Sequence, residues 1–414
     1  MHSASAEGPR CSVKILVTAF GSLGDVEPYL AVASALLRRG HEVRVATLDH
    51  FASRVEALGL PFESLRVEWD EPRFDSMMRE VLRKKNPFAQ ARIIFSRTHD
   101  ALVTATKTLV PMAEASDVVL THIFHLGGYA AAQLARKPFV SGHLITGMIP
   151  SNARSPIGSD FGALGNKLRR RALDSGIRRA TDTSVNAVLS AVNLPPLKDA
   201  LRRGLHSPVL NLIAVSESVR PRDPEWDGRY SMTGAWRIKQ HVMLPAKLDA
   251  FLRAGPSPLF VTLGSTVGFD IEKLSRVLLA GLEGTRAVIQ SGSAKLKVQS
   301  DQHFLLDEYV AYDALLPFVC GVIHHGGAGT TAACMYHGKP MAIACALGDQ
   351  HAWGVLTERL QVSSGTRWLS QLNAKWIRQA IATLPTENAK LLGLQLASEP
   401  DGAEEAALRI EQLR

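Results

Sequence analysis

Residues 322–354 read VIHHGGAGTTAACMYHGKPMAIACALGDQHAWG, and the reading of this stretch decides the fold. An apolar run, Pro317 to Ile323, delivers the chain to His324-His325 and then to Gly326-Gly327-Ala328-Gly329-Thr330-Thr331. The segment from Thr331 to about His337 reads helical, and Pro340 opens a second apolar run that ends at Gly348-Asp349-Gln350. Small residues at a strand-to-helix turn let backbone N–H groups approach an oxyanion, and the helix N-terminus adds its positive partial charge. The two histidines and two threonines supply side-chain donors to the same anion. Asp349 and Gln350, at the next strand end, bring a carboxylate and an amide suited to sugar hydroxyls. An anion cradle followed by a hydroxyl reader is what a nucleotide-sugar site requires.

Outward from this stretch, the same grammar recurs. Val13 to Phe20 (VKILVTAF) is a buried-strand run that breaks at Gly21-Ser22-Leu23-Gly24-Asp25, and a helix pattern follows from Glu27 to Arg39. Gly40 stops it, and Glu42 to Leu48 reads as the next strand, so the unit is strand–helix–strand within a parallel sheet. Val118 to Leu120 and Pro138 to Gly142 are further strands, Val67 to Thr106 reads mostly helical, and Ile149 to Gly165 reads as loop. The second half opens the same way, with Leu259 to Leu263 breaking at Gly264-Ser265-Thr266 before a helix from about Ile271 to Leu282. Ala287 to Gln290, Phe304 to Leu306 and Gly321 to Ile323 are its next strands. The boundaries expected are a disordered leader at 1–12, a first α/β domain at 13–218, a Pro-rich charged linker at 219–240, a second α/β domain at 241–395 and a closing helix at 396–414.

Composition is consistent with this division. The 414 residues suit two domains of about 200 residues each. No apolar run reaches the ~18–20 residues that a membrane span requires, and the polar start MHSASAEGPRCS has no signal-like apolar core. Cys11, Cys320, Cys334 and Cys345 lack metal-ligand or CxxC spacing, which points to free thiols in a reducing cytoplasm. The net charge of +8 gathers at Lys167–Arg171, Arg178-Arg179 and Arg83–Lys85. These patches are either solvated helix faces or a means of peripheral contact with an anionic membrane at the inner face. No basic, aromatic-interleaved nucleic-acid motif is visible.

GSLGDVEP (21–28), Gly40-His41, LGS (263–265), HHGGAGTT (324–331) and GDQ (348–350) together resemble the inverting nucleotide-sugar glycosyltransferases of the UDP-glycosyltransferase family, which have the glycosyltransferase-B fold. Within that family the chain is similar to sterol glucosyltransferases, glycolipid rhamnosyltransferases and antibiotic and macrolide glycosyltransferases. The resemblance implies two Rossmann-like α/β domains facing across a cleft, with the donor held mainly by the second and the acceptor by the first. It implies that His325 contacts the donor diphosphate, that Gly327, Gly329, Thr330 and Thr331 form the anion turn, and that Asp349 and Gln350 bind the transferred sugar. Tyr309, with Val310 beside it, falls where relatives place a tryptophan that stacks on the nucleobase. Leu23 stands where many small-molecule members carry a catalytic histidine. The antibiotic and sterol branches have an aspartate in that loop, which here is Asp25. Ala333 replaces a ribose-binding glutamate of plant-type members, so UDP and dTDP sugars both remain open.

The function implied is transfer of a hexose from a UDP- or dTDP-sugar to a hydroxyl of a hydrophobic small-molecule or lipid acceptor, with inversion and without metal or other cofactor. No Asp-x-Asp motif is present, and a helix terminus with His325 can stabilise the leaving diphosphate. Asp25 also suits capping of a helix beginning near Glu27, and capping is compatible with catalysis. Ser265 is a donor contact at the end of its strand, and Ser22 occupies the facing position. His324 reads as a turn residue. His122, His125 and His143 are candidates to line the acceptor cleft, although lone histidines usually pack structurally. Trp236, Trp353 and Trp368 read as packing. A nucleotide-sugar epimerase of the same fold and a non-catalytic sugar-nucleotide-binding helper are the rival functions; an epimerase would need no acceptor pocket. A monomer or weak oligomer is expected.

Overall fold

The computed structural model describes residues 12–84, 86–151, 153, 162–239, 243–264, 270–290, 300–308 and 310–413. Two all-parallel sheets organise them. The first contains β1 (Lys14–Thr18), β2 (Glu42–Thr47), β3 (Phe62–Ser64), β4 (Val118–His122), β5 (Phe139–His143), β6 (Leu210–Ile213) and β7 (Tyr230–Met232). Their order across the sheet is β3-β2-β1-β4-β5-β6-β7. The second contains β8 (Leu259–Thr262), β9 (Ala287–Gln290), β10 (His303–Leu306), β11 (Gly321–His324), β12 (Met341–Cys345) and β13 (Ser363–Trp368), in the order β10-β9-β8-β11-β12-β13. Both orders reverse direction beside the first strand of the sheet. That geometry opens a crevice at the carboxyl ends of β1 and β4, and another at those of β8 and β11.

The strands read as continuous apolar runs because helices cover both faces of a parallel sheet. β4, β5 and β12 are buried at every residue. The expected architecture of two Rossmann-like domains is the one observed. Three differences are informative. The stretch at 219–240 is not simply a linker: Tyr230–Met232 is the seventh strand of the first sheet, paired in register with β6. The first helix spans Leu23–Arg38 with Ser22 as its N-cap, so it starts four residues before Glu27, and Asp25 stands in its first turn as the N3 half of a capping box rather than as the N-cap. The closing helix Gly402–Glu411 returns to the first domain, where Ala403, Ala406, Ala407 and Ile410 join the core around β1 and the first helix. Arg39 clamps it, donating to Glu411 through Nε at 2.7 Å and a second guanidinium nitrogen at 2.8 Å. That pairing holds the Glu411 carboxyl down to a pKa of about 2.

Of the expected leader only Ser12 is described, and Cys11 lies outside the described residues. Cys334 and Cys345 are buried free thiols, whereas Cys320 is exposed. Among the described residues no helix is long and apolar enough to cross a membrane.

Candidate active site

The turn after β1 is built around Asp25. The Ser22 backbone N–H and hydroxyl both donate to Asp25 Oδ2, each at 2.8 Å. Gly21 makes this possible: its φ is +139°, and a Cβ there would lie 2.5 Å from Asp25 Oδ2. Burial raises the Asp25 pKa above the ordinary carboxylate value, and the two Ser22 hydrogen bonds act against that rise.

The second domain supplies the facing wall. β11 ends at His324, which is fully buried and turned into the protein; its Nδ1 accepts from Gly326 N–H at 3.0 Å. It is a turn residue, as its position suggested. His325 takes the opposite direction and borders the cleft. Among the described residues its Nδ1 has no partner, and burial holds the ring neutral with a pKa of about 4, opposed by a hydrogen bond with the Thr262 backbone. Gly264, at φ +61°, leaves room for this ring, since a Cβ there would lie 2.6 Å from it. The helix Ala328–Tyr336 then begins, with Gly327 as N-cap. Gly327, Gly329 and Thr330 line the cleft, and Thr330 Oγ1 is 3.2 Å from the Tyr312 hydroxyl. Thr331 is a correction: fully buried, it donates its hydroxyl back to the Gly327 carbonyl at 2.8 Å, a use that withdraws it from the anion turn.

After β12 the helix Gly348–Arg359 opens with Asp349 and Gln350 in its first turn. Gln350 Oε1 accepts from the Ala346 and Leu347 N–H groups at 2.8 and 3.1 Å, which fixes the turn. Asp349 opens on the cleft, yet both domains crowd its carboxyl. That enclosure, and then the charge of Asp25, push its pKa up to about 6.

Two cavities meet here. One, of about 350 Å³, runs between the domains and is bordered by Asp25, Gly264, Tyr312, His325, Thr330 and Gln350. The other, of about 570 Å³, is walled mainly by apolar side chains, among them Phe20, Phe74, Phe88, Phe95, Phe124 and Trp353. Ser22, Asp25, His122 and Asp349 border both, so the two carboxylates stand at the junction.

Of the three histidines expected to line an acceptor cleft, only His122 borders these cavities. It ends β4, and burial holds it neutral with a pKa of about 4. His125 lies in the core: its Nε2 is 3.0 Å from the Thr18 hydroxyl, which itself donates to the Ala46 carbonyl, so the imidazole is the donor. His143 is fully buried against Asn211 and His206. Val310 is buried in the second-domain core and borders neither cavity. Ser265 and Tyr309 lie outside the described residues. Trp236 packs edge-on against Tyr29 at 5.2 Å and Trp353 is buried in the second-domain core, as expected of packing residues; all three tryptophans also border a cavity, Trp236 the smaller one and Trp353 and Trp368 the apolar one. Of the aromatic lining, Phe88 and Phe95 stand in one apolar stretch, FAQARIIF, that is legible in the sequence; the rest, from Phe20 to Trp368, is scattered over the chain with no shared motif.

Residues 15–125 match the glycosyltransferase family 28 N-terminal domain. The chain is 26% identical over 420 residues to an O-mycaminosyltylonolide 6-deoxyallosyltransferase of Streptomyces fradiae, with 97% of each chain covered. It is 26% identical over 417 residues to a sterol 3-beta-glucosyltransferase of Pichia angusta, covering 94% of this chain and 33% of that protein. A Streptomyces sp. SF2575 glycosyltransferase solved with thymidine diphosphate superposes with a TM-score of 0.65 at 21% identity, over 97% of this chain and 99% of that one, a likeness of fold. With its two facing parallel-sheet domains, the chain has the glycosyltransferase-B fold, and its residues 15–125 match a glycosyltransferase family 28 N-terminal domain.

Proposed function

We propose that this enzyme transfers a hexose from a UDP- or dTDP-sugar to a hydroxyl on a hydrophobic acceptor, with inversion and without a metal. The observation that carries the reading is the junction: a cavity bordered by the glycine turn and His325 and a more apolar one of about 570 Å³ meet at Asp25. The donor diphosphate occupies the first cavity. There the N-terminus of Ala328–Tyr336, the N–H groups of its turn and neutral His325 bind the negative charge that grows as the sugar leaves. Asp349, and the amide nitrogen of Gln350, read the sugar hydroxyls. The acceptor lies in the apolar cavity with its hydroxyl at the junction, beside His122.

Asp25 then acts as the general base. As the acceptor oxygen bonds to the anomeric carbon, the bond to the diphosphate breaks on the opposite face and the acceptor proton passes to the Asp25 carboxylate. An ordinary aspartate, with a pKa near 4, is a weak base for an alcohol, and the burial of Asp25 strengthens it. The apolar cavity favours transfer over epimerisation, since an epimerase needs no such chamber. A panel of UDP- and dTDP-sugars against hydroxylated apolar acceptors, read by mass spectrometry, tests this. Glycosylated acceptor is the expected product, and donor turnover with no acceptor adduct would support the epimerase instead.

The exposed face of the helix Gly162–Ala191 carries Lys167, Arg171, Arg178 and Arg179 beside Leu164 and Leu168, which suits peripheral contact with an anionic membrane. Arg170 is turned inward on to the carbonyls of Gly147, Ile149 and Ser151. Co-sedimentation with phosphatidylserine vesicles at low salt is expected; absence of the protein from the pellet would leave these cations as a solvated face.

A further inference from the structure

The apolar cavity is not walled by the first domain alone. On its far side the second domain presents His351 and Trp368, whose rings are parallel to within 10° with centroids 5.1 Å apart. Both are half-buried and border the cavity. His351 lies in the first turn of the helix Gly348–Arg359, two residues beyond Asp349, and Trp368 ends the neighbouring strand β13. One helix therefore carries both a carboxylate of the junction and half of an aromatic wall, with Trp353 and Leu356 continuing that wall along the same helix. The domains close on one another at the helix start, where a Cβ on Gly348 would meet the Pro87 ring of the first domain at 3.4 Å.

We propose that the second domain selects the acceptor through the stacked His351–Trp368 pair, and that the acceptors so selected carry an aromatic or fused-ring system with a hydroxyl at its edge. This rests on the reading that the apolar cavity holds the acceptor. Rings face this pair from the first-domain side as well. Phe20 and Trp69 pack at 5.4 Å, and Phe124 stands edge-on to His122 at 5.3 Å. A chamber walled by rings at both ends gains from stacked and edge-to-face contacts with a flat ligand. A rigid ring system also loses less conformational freedom on binding than a flexible chain of equal area. A linear hydroxylated lipid would gain area here but not the ring geometry.

The test uses two primary alcohols of similar acidity, 2-(2-naphthyl)ethanol and 1-decanol. Their affinities, and those of free UDP and dTDP, are measured by calorimetry on the wild-type protein and on Trp368→Ala and Trp368→Phe. Loss of one aromatic stacking contact corresponds to about 2- to 12-fold in affinity. Trp368→Ala is expected to weaken the naphthyl alcohol within that range, to leave decanol nearly unchanged and to spare both diphosphates. Trp368→Phe should restore most of the loss. Equal weakening of the two alcohols, or of neither, would overturn the proposal while leaving the acceptor reading in place. Loss of diphosphate affinity in both variants would overturn it too, as the sign that the change disturbs the fold. A wild-type protein that binds the diphosphates but neither alcohol would overturn the acceptor reading and this proposal with it.

Discussion

Asp25 and Asp349 come from different domains, and the charge of Asp25 is felt at Asp349 across the junction. Burial raises both pKa values, and the charge of Asp25 adds to the rise at Asp349, which reaches about 6. The two carboxylates therefore titrate as a pair. Asp25 must be ionised to take a proton, so activity is lost as pH falls through its raised pKa. The acid limb of kcat/KM is predicted to lie above the ordinary aspartate value of about 4. In Asp25→Asn the charge that raises Asp349 is gone, so the Asp349 pKa should fall below about 6. A pH–rate profile of the wild type checks the limb and carboxyl NMR of Asp25→Asn checks the shift; an unchanged Asp349 pKa would mean that the pair does not interact. The residues around the pair were legible to different degrees. His325 and Asp349 stand in motifs that dictate their place. Thr331 shares a motif yet spends its hydroxyl within its own helix, and helical spacing alone does not reveal which of two adjacent threonines faces out.

The elements that hold the site are strand–turn–helix units, and their turns depend on glycine where a side chain must pass close by. At Gly264 the backbone is left-handed and His325 fills the space a Cβ would occupy. Gly264→Ala is expected to cost at least ~1 kcal/mol of stability from the positive φ alone. It should also weaken nucleoside-diphosphate binding by displacing the imidazole, as should His325→Ala by removing it. Losing one hydrogen bond to a charged group corresponds to about 10- to 150-fold, which calorimetry with free UDP and dTDP would measure. Unchanged affinity in both variants would remove His325 from the anion site. Strands such as Val118–His122 and Ala287–Gln290 were readable because parallel burial makes them uniformly apolar. β3 (FES), β7 (YSM) and β13 (SSGTRW) were not, because they are short or polar and only partly buried at most positions. Missing β7 is what turned part of the first sheet into an apparent linker.

At the scale of the whole molecule, the chain crosses to the second domain and then comes back. An amphipathic pattern at the C-terminus shows that a helix must bury one face, but not which domain receives it. Ile410, buried in the first-domain core, should cost about 2–5 kcal/mol when changed to Ala. Thermal or urea unfolding is expected to show that loss, and an unaltered midpoint would mean the helix does not dock there in solution. The return of the chain leaves the cleft between the domains open at the carboxyl ends of both sheets, where the two cavities join. Chemistry there requires a base from the first domain against a leaving group held by the second. The most direct measurement of that claim is the single-turnover rate of Asp25→Asn with an aliphatic alcohol acceptor. Asparagine keeps the shape of the turn, so diphosphate affinity should hold while transfer falls by about 100- to 10,000-fold. Near-full transfer by Asp25→Asn, with chemistry limiting the rate, would contradict it.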